Sequence, residues 1–560
     1  MSFLDGIRPY RSAWLSSDIL AGVTLAALAI PEVMGYTKIA GMPVITGLYT
    51  ILIPIVAFAL LGSSRHLVVG GDSATAAIMY AGIAGLGISG LQPGSARWVG
   101  LASLSALLAA AFLLVARIAR LGFLANFLSR TVLVGFLAGV GIQVALGQVG
   151  GMLGIPPPNV SANALSGGLR KFGLTLWHIG DASWQTALVS AAVLAILVIF
   201  RRFVKQVPGG LVAVVALIAA SWIFDFQSHG VSTLGAVPRG LPHIGLPRDV
   251  SWSDASALFP TAASLFLVIL AQSAATSRAY AVKYREAFDE GTDLVGLAVA
   301  NLTAGLGSTF VVNGSPTKTE VVDEGGSHTQ VAQLTTAAVV AIVLLFLTKP
   351  LQYLPNAVLA AVVFLIGLKL VDLRGLREIL RLQRDEFAVA VATAIVVVVV
   401  GVEQGIVLAI VLSLLLHVRR HYAPVDVVLT WDGHGHVRTL QPAPGVTSEP
   451  GLVVYRFGAG IWYANAQRLS DELLELAGGA SPPRWIVLDA TSIDDIDFTG
   501  GKTLGELVAE LGQLGVELAV AGVLDPVRRE LERYGIAAAI GEGRIFDTVQ
   551  DALEAFHRDK

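Results

Sequence analysis

Two ionisable side chains stand inside apolar stretches of this chain and are its strongest candidates for chemistry. Glu32 follows Pro31 in the first apolar stretch, and Lys318 follows Ser315 and Pro316 in a later one. A carboxylate inside a membrane costs on the order of 2.5 kcal/mol or more, so we expect Glu32 to be protonated, paired or facing a cavity. A lysine at the positive end of a helix is disfavoured unless an anion lies near it. These residues predict an anion site in which Glu32 carries a coupling proton and Lys318 supplies a fixed positive charge.

Both residues also have structural explanations, which the sequence leaves open. Glu32 can be a structural partner for Lys318 or for a backbone N–H group. Lys318 can form a salt bridge with Glu32, Asp72 or Glu320 instead of holding a ligand.

Two short runs, residues 67–73 and 309–316, break apolar stretches in the same way, and each is typical of a short strand, a glycine and a helix start. Non-helical backbone is tolerated at membrane depth only where protein covers it or a water-filled cavity lies beside it, so the breaks predict a cavity between them. The helix after each break directs free N–H groups and the positive end of its dipole at that cavity. Two such helix starts predict the binding of an anion.

The residues at the two helix starts suit capping positions, which still face the ligand. Asp72 is a preferred N-cap residue, and Ser315 with Pro316 fits the N-cap and first turn of the second helix. Tyr36 can add an aromatic wall with a hydroxyl group, and Gln272 can add a neutral donor, although helix packing explains both equally well. The predicted substrate-binding residues are Glu32, Tyr36, Gly71, Asp72, Ser73, Gln272, Gly314, Ser315, Thr317 and Lys318.

The composition is that of a membrane protein with many spans. The 560 residues are 54% hydrophobic and 14% charged, with a mean hydropathy of +0.70. There is no cysteine, which excludes disulfides and thiolate metal sites, and the net charge of −3 gives no sign of nucleic-acid binding. Residues 1–17 lack the features of a secretory signal and predict a retained, cytoplasmic N-terminus.

Apolar segments of spanning length divide the chain into two halves, about residues 18–225 and 256–422, within a transmembrane domain of residues 18–423. Asp72 and Ser315 lie at similar distances from the starts of these halves, which indicates an internal repeat. Arginine and lysine follow the even-numbered segments, so both chain ends are predicted in the cytoplasm. Seven segments per half then make the second half inverted. The segments are 18–35, 43–61, 72–88, 98–117, 123–146, 184–201, 207–225, 256–275, 291–307, 315–322, 329–347, 351–371, 385–401 and 402–418.

Residues 424–560 have a different pattern, in which short apolar strands alternate with amphipathic helices. Predicted strands near residues 425–429, 452–457, 485–489 and 516–520 surround helices at 466–477, 500–513, 525–534 and 547–557. This alternation predicts a small, soluble α/β domain.

Particular residues connect both parts to one family. In the first segments the spacing of prolines, glycines and tyrosines, followed by residues 62–66, closely resembles the sulfate permease family, also called solute carrier family 26. Residues 488–492 and 496–500 resemble the STAS domain of those permeases and of anti-sigma-factor antagonists. The spaced residues are Pro31, Tyr36, Ala40, Gly41, Pro43, Gly47, Leu48, Tyr49 and Pro54.

The resemblance implies a polytopic α-helical membrane protein of fourteen segments in two inverted repeats, with a core of segments 1–4 and 8–11, a gate of segments 5–7 and 12–14, and dimers. Members of the family move anions such as sulfate, bicarbonate, chloride or dicarboxylates. Gln272 departs from the acidic residue that is common in bacterial members, which argues against a cation site there. Thr499 occupies the position that is phosphorylated as serine in the anti-sigma-factor antagonists, although a turn that caps the next helix is the simpler explanation.

We therefore expect a secondary active transporter in the cell membrane, in which a proton rather than sodium accompanies a dicarboxylate or inorganic anion by alternating access. The alternatives are a passive anion channel or exchanger, a nucleobase permease, and a membrane anchor for a signalling domain. No cofactor or metal is expected. No enzyme is expected either, because the sequence has no cluster of histidine and carboxylates, nucleophile elbow or phosphate-binding loop.

Overall fold

The computed structural model of the chain forms two compact units, Met1–Ser413 and Leu414–Lys560. The structure describes residues 3–120, 130–156, 167–203, 209–235, 238–287, 289–422, 424–432, 436–478 and 482–559.

The first unit is helical except for two three-residue strands, β1 (Val69–Gly71) and β2 (Val312–Gly314). The last helix, α19, contains the boundary between the units. The helices are α1 (Leu15–Ala40), α2 (Val44–Thr50), α3 (Ile53–Leu61), α4 (Ser73–Gly85), α5 (Ala96–Ile118), α6 (Arg130–Leu153), α7 (Gly167–Trp177), α8 (Trp184–Phe203), α9 (Gly209–Ile223), α10 (Trp252–Ala257), α11 (Phe259–Tyr284), α12 (Glu290–Leu306), α13 (Pro316–Glu324), α14 (Val331–Phe346), α15 (Thr348–Leu351), α16 (Asn356–Leu370), α17 (Leu373–Leu382), α18 (Arg384–Val399) and α19 (Val402–Tyr422).

The helices of the first unit form two groups. Helices α1 to α5 pack with α11 to α14, whereas α6 packs with α8, α16 and α18. Contacts between the groups run from α1 to α9 and α16, and from α4 to α6. The first group comprises the segments that the family resemblance assigns to a core, and the helices of the second group all belong to segments assigned to a gate.

Six helical spans in the described residues are long and apolar enough to cross a membrane, and four shorter apolar helices accompany them. The shorter ones include α4, whose length is limited because β1 occupies the preceding residues. The number of fourteen segments stays a prediction.

Both predicted breaks are strands, and they pair with each other. β1 and β2 form an antiparallel ribbon in which Val69 lies opposite Gly314 and Gly71 opposite Val312. The next residues begin α4 and α13, so the two helices leave opposite ends of one ribbon.

Buried side-chain amides satisfy the outer edge of each strand, where no further strand follows. Asn301 of α12 bonds both the N–H and the carbonyl group of Val312 at 3.0 Å. Gln333 of α14 accepts from Val69 N at 3.2 Å and donates to the Leu67 carbonyl at 2.6 Å. These amides bond the backbone groups that a neighbouring strand would otherwise bond. Such partners are needed because an unpaired backbone group away from water costs several kcal/mol.

The residues before α1 are attached to the loops that precede β1 and α14. Gly6 donates to the Gly62 carbonyl and accepts from Gln330 N, both at 3.2 Å. Arg65 donates to the carbonyls of Ile7 and Pro9 at 3.3 and 2.8 Å. These bonds give Arg65 a structural role.

The second unit is an α/β domain with a six-stranded sheet in the order β4-β3-β5-β6-β7-β8. β3 is antiparallel to β4 and β5, and β5 to β8 are parallel. The sequence prediction missed β4, β8 and α23, which are short. The elements are β3 (Val427–Trp431), β4 (Val437–Leu440), β5 (Leu452–Arg456), α20 (Ala466–Ala477), β6 (Trp485–Asp489), α21 (Phe498–Gln513), β7 (Glu517–Ala521), α22 (Asp525–Arg533), α23 (Ile536–Ile540), β8 (Ile545–Phe546) and α24 (Val549–Arg558).

Gly22 allows α1 and α14 to approach closely. A Cβ atom at this position would lie 2.3 Å from the Ala332 carbonyl oxygen and 2.6 Å from Thr335 Cβ. Thr336 also donates its hydroxyl to the Gly22 carbonyl at 2.9 Å. Close approach through small residues is the usual means by which membrane helices gain packing energy.

We predict that Gly22→Ala lowers the stability of the protein by about 1–3 kcal/mol, because the added methyl group must separate α1 from α14. The measurement is the thermal unfolding midpoint in one detergent. The matched control is Gly147→Ala in α6, where an added Cβ meets nothing within 4 Å. Equal midpoints for the two variants would contradict the proposed packing role of Gly22.

Candidate functional site

The predicted site residues Glu32, Tyr36, Gly71 and Lys318 meet around one buried amine. Lys318 is fully buried, and its Nζ donates to the Gly71 carbonyl at 3.0 Å. The same Nζ lies 3.6 Å from Glu32 Oε2 and 4.8 Å from the centre of the Tyr36 ring. Tyr36 donates its hydroxyl to Glu32 Oε2 at 3.4 Å. Of the three carboxylates considered from the sequence, the structure therefore pairs Lys318 with Glu32.

Helix periodicity and the ribbon bring these groups together. Glu32 and Tyr36 are four residues apart in α1, so they lie on the same face of the helix. Lys318 is in the first turn of α13, and its side chain reaches across the ribbon to Gly71, the last residue before the N-cap of α4. The positive charge thus lies near the starts of both helices.

Both predicted caps are confirmed. Asp72 is the N-cap of α4 and accepts from Ala74 N at 3.0 Å. Ser315 is the N-cap of α13 and accepts from Lys318 N at 3.4 Å, while its own N–H donates to the Val68 carbonyl at 2.8 Å. The second cap therefore also ties α13 to the chain that leads into β1.

The start of α13 is accessible although Lys318 is not. Pro316 and Thr317 are exposed, and Thr317 Oγ1 lies 3.2 Å from Ser315 Oγ. Ser73, the first residue of α4, is buried, and so is Gly314 at the end of β2. The exposed part of the predicted site is therefore the first turn of α13.

Gln272 belongs to a buried polar chain that the sequence prediction did not contain. Asn313 Nδ2 donates to Gln272 Oε1, and Ser273 Oγ donates to Asn313 Oδ1 at 3.1 Å. Gly314 N donates to Ser273 Oγ at 3.1 Å. The available signal was the position of Asn313 directly before Gly314, inside the second break.

Asn126 and Gln143 are polar residues in one apolar segment, a pattern typical of side chains that join membrane helices. Gln143 joins α6 to α18, because its Nε2 donates to the Val397 carbonyl at 2.6 Å. Asn126 lies outside the described residues.

In the second unit, Thr499 is exposed in the first turn of α21. Asp497 is the N-cap of that helix and accepts from Gly500 N at 2.7 Å. The helix cap that the sequence predicts before α21 is therefore present. Phosphorylation of Thr499 stays a prediction.

A cleft of about 480 Å³ in the second unit is lined by residues that include Asp426, Arg468 and Glu472. Arg468 pairs with Asp426 at 3.1 Å and with Glu472 at 2.8 Å. Burial raises the pKa of Asp426 to about 6, with Glu472 acting in the same direction. Tyr455 donates to Glu472 at 2.6 Å, so the cluster is bonded internally.

The described residues contain no group of three or more histidine, aspartate or glutamate side chains that could hold a metal ion. The positive amine of Lys318, in the first turn of α13, suits an anion better than a cation.

Comparison with known families matches both units. The model of the sulfate permease family matches residues 15–393, and the STAS domain model matches residues 443–552. A probable sulfate transporter, MT1781, of Mycobacterium tuberculosis (strain CDC 1551 / Oshkosh) is 34% identical over 553 residues, which cover 98% of this chain and 97% of the relative. Sulfate transporter 4.1, chloroplastic, of Arabidopsis thaliana is 27% identical over 571 residues, which cover 98% of this chain and 81% of the relative.

Solved structures show the same fold. The structure of SLC26A9 matches with a TM-score of 0.89 at 19% identity, covering 98% of this chain and 91% of that one. The transmembrane domain of the cyanobacterial bicarbonate transporter BicA matches with a TM-score of 0.62 at 23% identity, covering 71% of this chain and 98% of that domain. With a family model that matches most of its length and a relative of 34% identity, the chain belongs to the sulfate permease family of anion transporters and carries a C-terminal STAS domain.

Proposed function

We propose that the chain is a proton-coupled secondary active transporter that moves a small anion by alternating access. The observation that carries the proposal is the position of the Glu32 carboxylate, 3.6 Å from the Nζ of the fully buried Lys318. Glu32 then acts as an internal anion, which neutralises Lys318 while the site is empty.

The coupling follows from charge balance at a buried site. With Glu32 ionised and no substrate, the pair is neutral and the empty site can cross the membrane. An anion that enters beside an ionised Glu32 adds an uncompensated negative charge, which is costly inside a membrane. Protonation of Glu32 removes one negative charge and frees Lys318 for the substrate. The loaded site is then neutral with a monovalent anion such as bicarbonate, and it carries one net negative charge instead of two with sulfate or a dicarboxylate. Anion and proton therefore travel together.

Alternating access requires that the site moves as one body, and its placement supports this. Glu32 and Tyr36 are on α1, Gln272 is on α11 and Lys318 is on α13. All three helices belong to the group that we equate with the core, and the pairing of β1 with β2 joins its two halves. The gate helices supply none of the proposed ligands.

The substrate is a small oxyanion, either a dicarboxylate or an inorganic anion such as sulfate or bicarbonate. Relatives named as sulfate transporters, and the likeness to a bicarbonate transporter, support the inorganic members of this class. Sodium is the less favoured coupling ion, because Gln272 is neutral.

We further propose that the protein is a homodimer of the cell membrane, with its N-terminus and STAS domain in the cytoplasm. The arginine and lysine residues after the even-numbered predicted segments support this orientation.

The first test is uptake into proteoliposomes from a panel of labelled sulfate, bicarbonate and succinate, with and without an inward proton gradient. Wild-type protein should accumulate at least one of these anions when the gradient is imposed. Glu32→Gln should still transport that anion but no longer respond to the gradient, because its side chain cannot ionise. Sodium should change neither result.

The matched control is Glu320→Gln, which removes an exposed carboxylate from the same helix as Lys318 and should keep the proton response. An unchanged proton response in Glu32→Gln would refute the coupling role. Uptake that only equilibrates the anion would identify a channel, and uptake that requires an anion on the other side would identify an exchanger.

The second test is a double-mutant cycle on thermal stability with Lys318→Met, Glu32→Gln and the double variant. Glu32→Gln leaves the fully buried Lys318 without its anion and should cost about 3 kcal/mol. Lys318→Met leaves Glu32, whose side chain is 16% exposed, without its cation and should cost less. The double variant should be more stable than the sum of the single losses predicts, by about 0.5–3 kcal/mol. Additive losses would show that the two groups do not interact.

A further inference from the structure

The amide of Gln272 has one bonded end and one free end. Gln272 is 5% exposed, and its Oε1 accepts from Asn313 Nδ2. Within the described part of the chain, the amide nitrogen Nε2 has no acceptor among the hydrogen bonds of the structure. This nitrogen is not among the fully buried, unpaired side-chain atoms of the described residues, so it is accessible and can donate to a ligand.

A backbone group sets the direction of the whole chain of bonds. Gly314 N–H can only donate, so Ser273 Oγ accepts from it at 3.1 Å and its hydroxyl hydrogen is left for Asn313 Oδ1. Asn313 therefore donates from its Nδ2 to Gln272, and Gln272 accepts with its carbonyl oxygen. The end of Gln272 that remains is its NH₂ group. A reversed Gln272 would place two NH₂ groups against each other.

The polar chain ends beside the ribbon that carries the Lys318 site. Asn313 lies opposite Gly70 in the ribbon, and the next residue in β1 is Gly71, whose carbonyl binds Lys318. Asn313 itself is fully buried. Gln272 and Lys318 thus each bond one strand of the same ribbon, Gln272 at Asn313 of β2 and Lys318 at Gly71 of β1.

We propose that Asn313 and Ser273 are positioning residues that hold Gln272 as a hydrogen-bond donor to the transported anion. This inference rests on the proposed function and deepens it by defining the substrate: an oxyanion with one oxygen at Lys318 and another at Gln272. A fixed, directional donor of this kind favours sulfate or a carboxylate over a spherical halide.

The experiment compares KM and maximal rate in proteoliposomes, using labelled sulfate or succinate, whichever the wild type accumulates, and chloride as a competitor. Gln272→Met keeps the size of the side chain and removes the donor, so KM for the oxyanion should rise about tenfold. Competition by chloride should change much less. The maximal rate and the response to a proton gradient should stay near the wild-type values.

Asn313→Asp is the sharper variant, because an ionised aspartate only accepts. Gln272 must then turn its NH₂ group towards Asp and its oxygen towards the substrate, and KM should rise further than in Gln272→Met. Ser273→Ala releases Asn313 and should give a smaller increase. These two variants and Gln272→Met are independent, so one that fails to fold leaves the proposal testable.

Asn301→Asp is the matched control, because Asn301 is an equally buried asparagine on the other edge of β2 and bonds only backbone groups there and in its own helix. It should lower the yield or the unfolding midpoint but leave KM of the folded protein unchanged. An unchanged oxyanion KM in Gln272→Met, with uptake still dependent on Lys318, would overturn this inference and leave the proposed function standing. Uptake that is also indifferent to Lys318→Met would defeat both.

Discussion

The buried ammonium group of Lys318 is the constraint on which the rest of the membrane unit depends. A charge that is wholly removed from water must be compensated, and the structure surrounds it with the Gly71 carbonyl, the Tyr36 ring and the Glu32 carboxylate. It also lies at the positive end of α13, which increases its need for an anion. A site that always requires one negative charge can accept it from the protein or from a solute. In the proposed mechanism, that choice is the physical basis for coupling a proton to transport.

The residues around this charge satisfy the hydrogen bonds of a non-helical segment that lies among helices. The β1–β2 ribbon satisfies its inner edge by pairing, and Asn301 and Gln333 satisfy its outer edges from α12 and α14. Each amide comes from a different helix, so the ribbon is bonded at both of its outer edges. This explains why so short a sheet can position two helix starts and the proposed substrate-binding residues beside them.

Much of this site can be predicted from residue types and their immediate neighbours in the sequence. The glycine-containing breaks, the N-cap roles of Asp72 and Ser315, and the unusual Lys318 follow from residue types and their neighbours in the chain. The partners of Asn313, Gln333 and Asn301 do not, because they depend on which helices lie beside the ribbon. In the α/β domain, the strands missed were β4 and β8, of which β4 is fully exposed and β8 has two residues. Neither has the apolar pattern by which a buried strand is recognised.

The most direct test of the central claim is the number of protons taken up when an anion binds to the purified protein. Calorimetry at one pH, in buffers with different ionisation enthalpies, gives this number for whichever anion of the panel the wild type transports. We expect the wild type to take up about one proton per anion at neutral pH and Glu32→Gln to take up none. Anion binding by the wild type without proton uptake would contradict it.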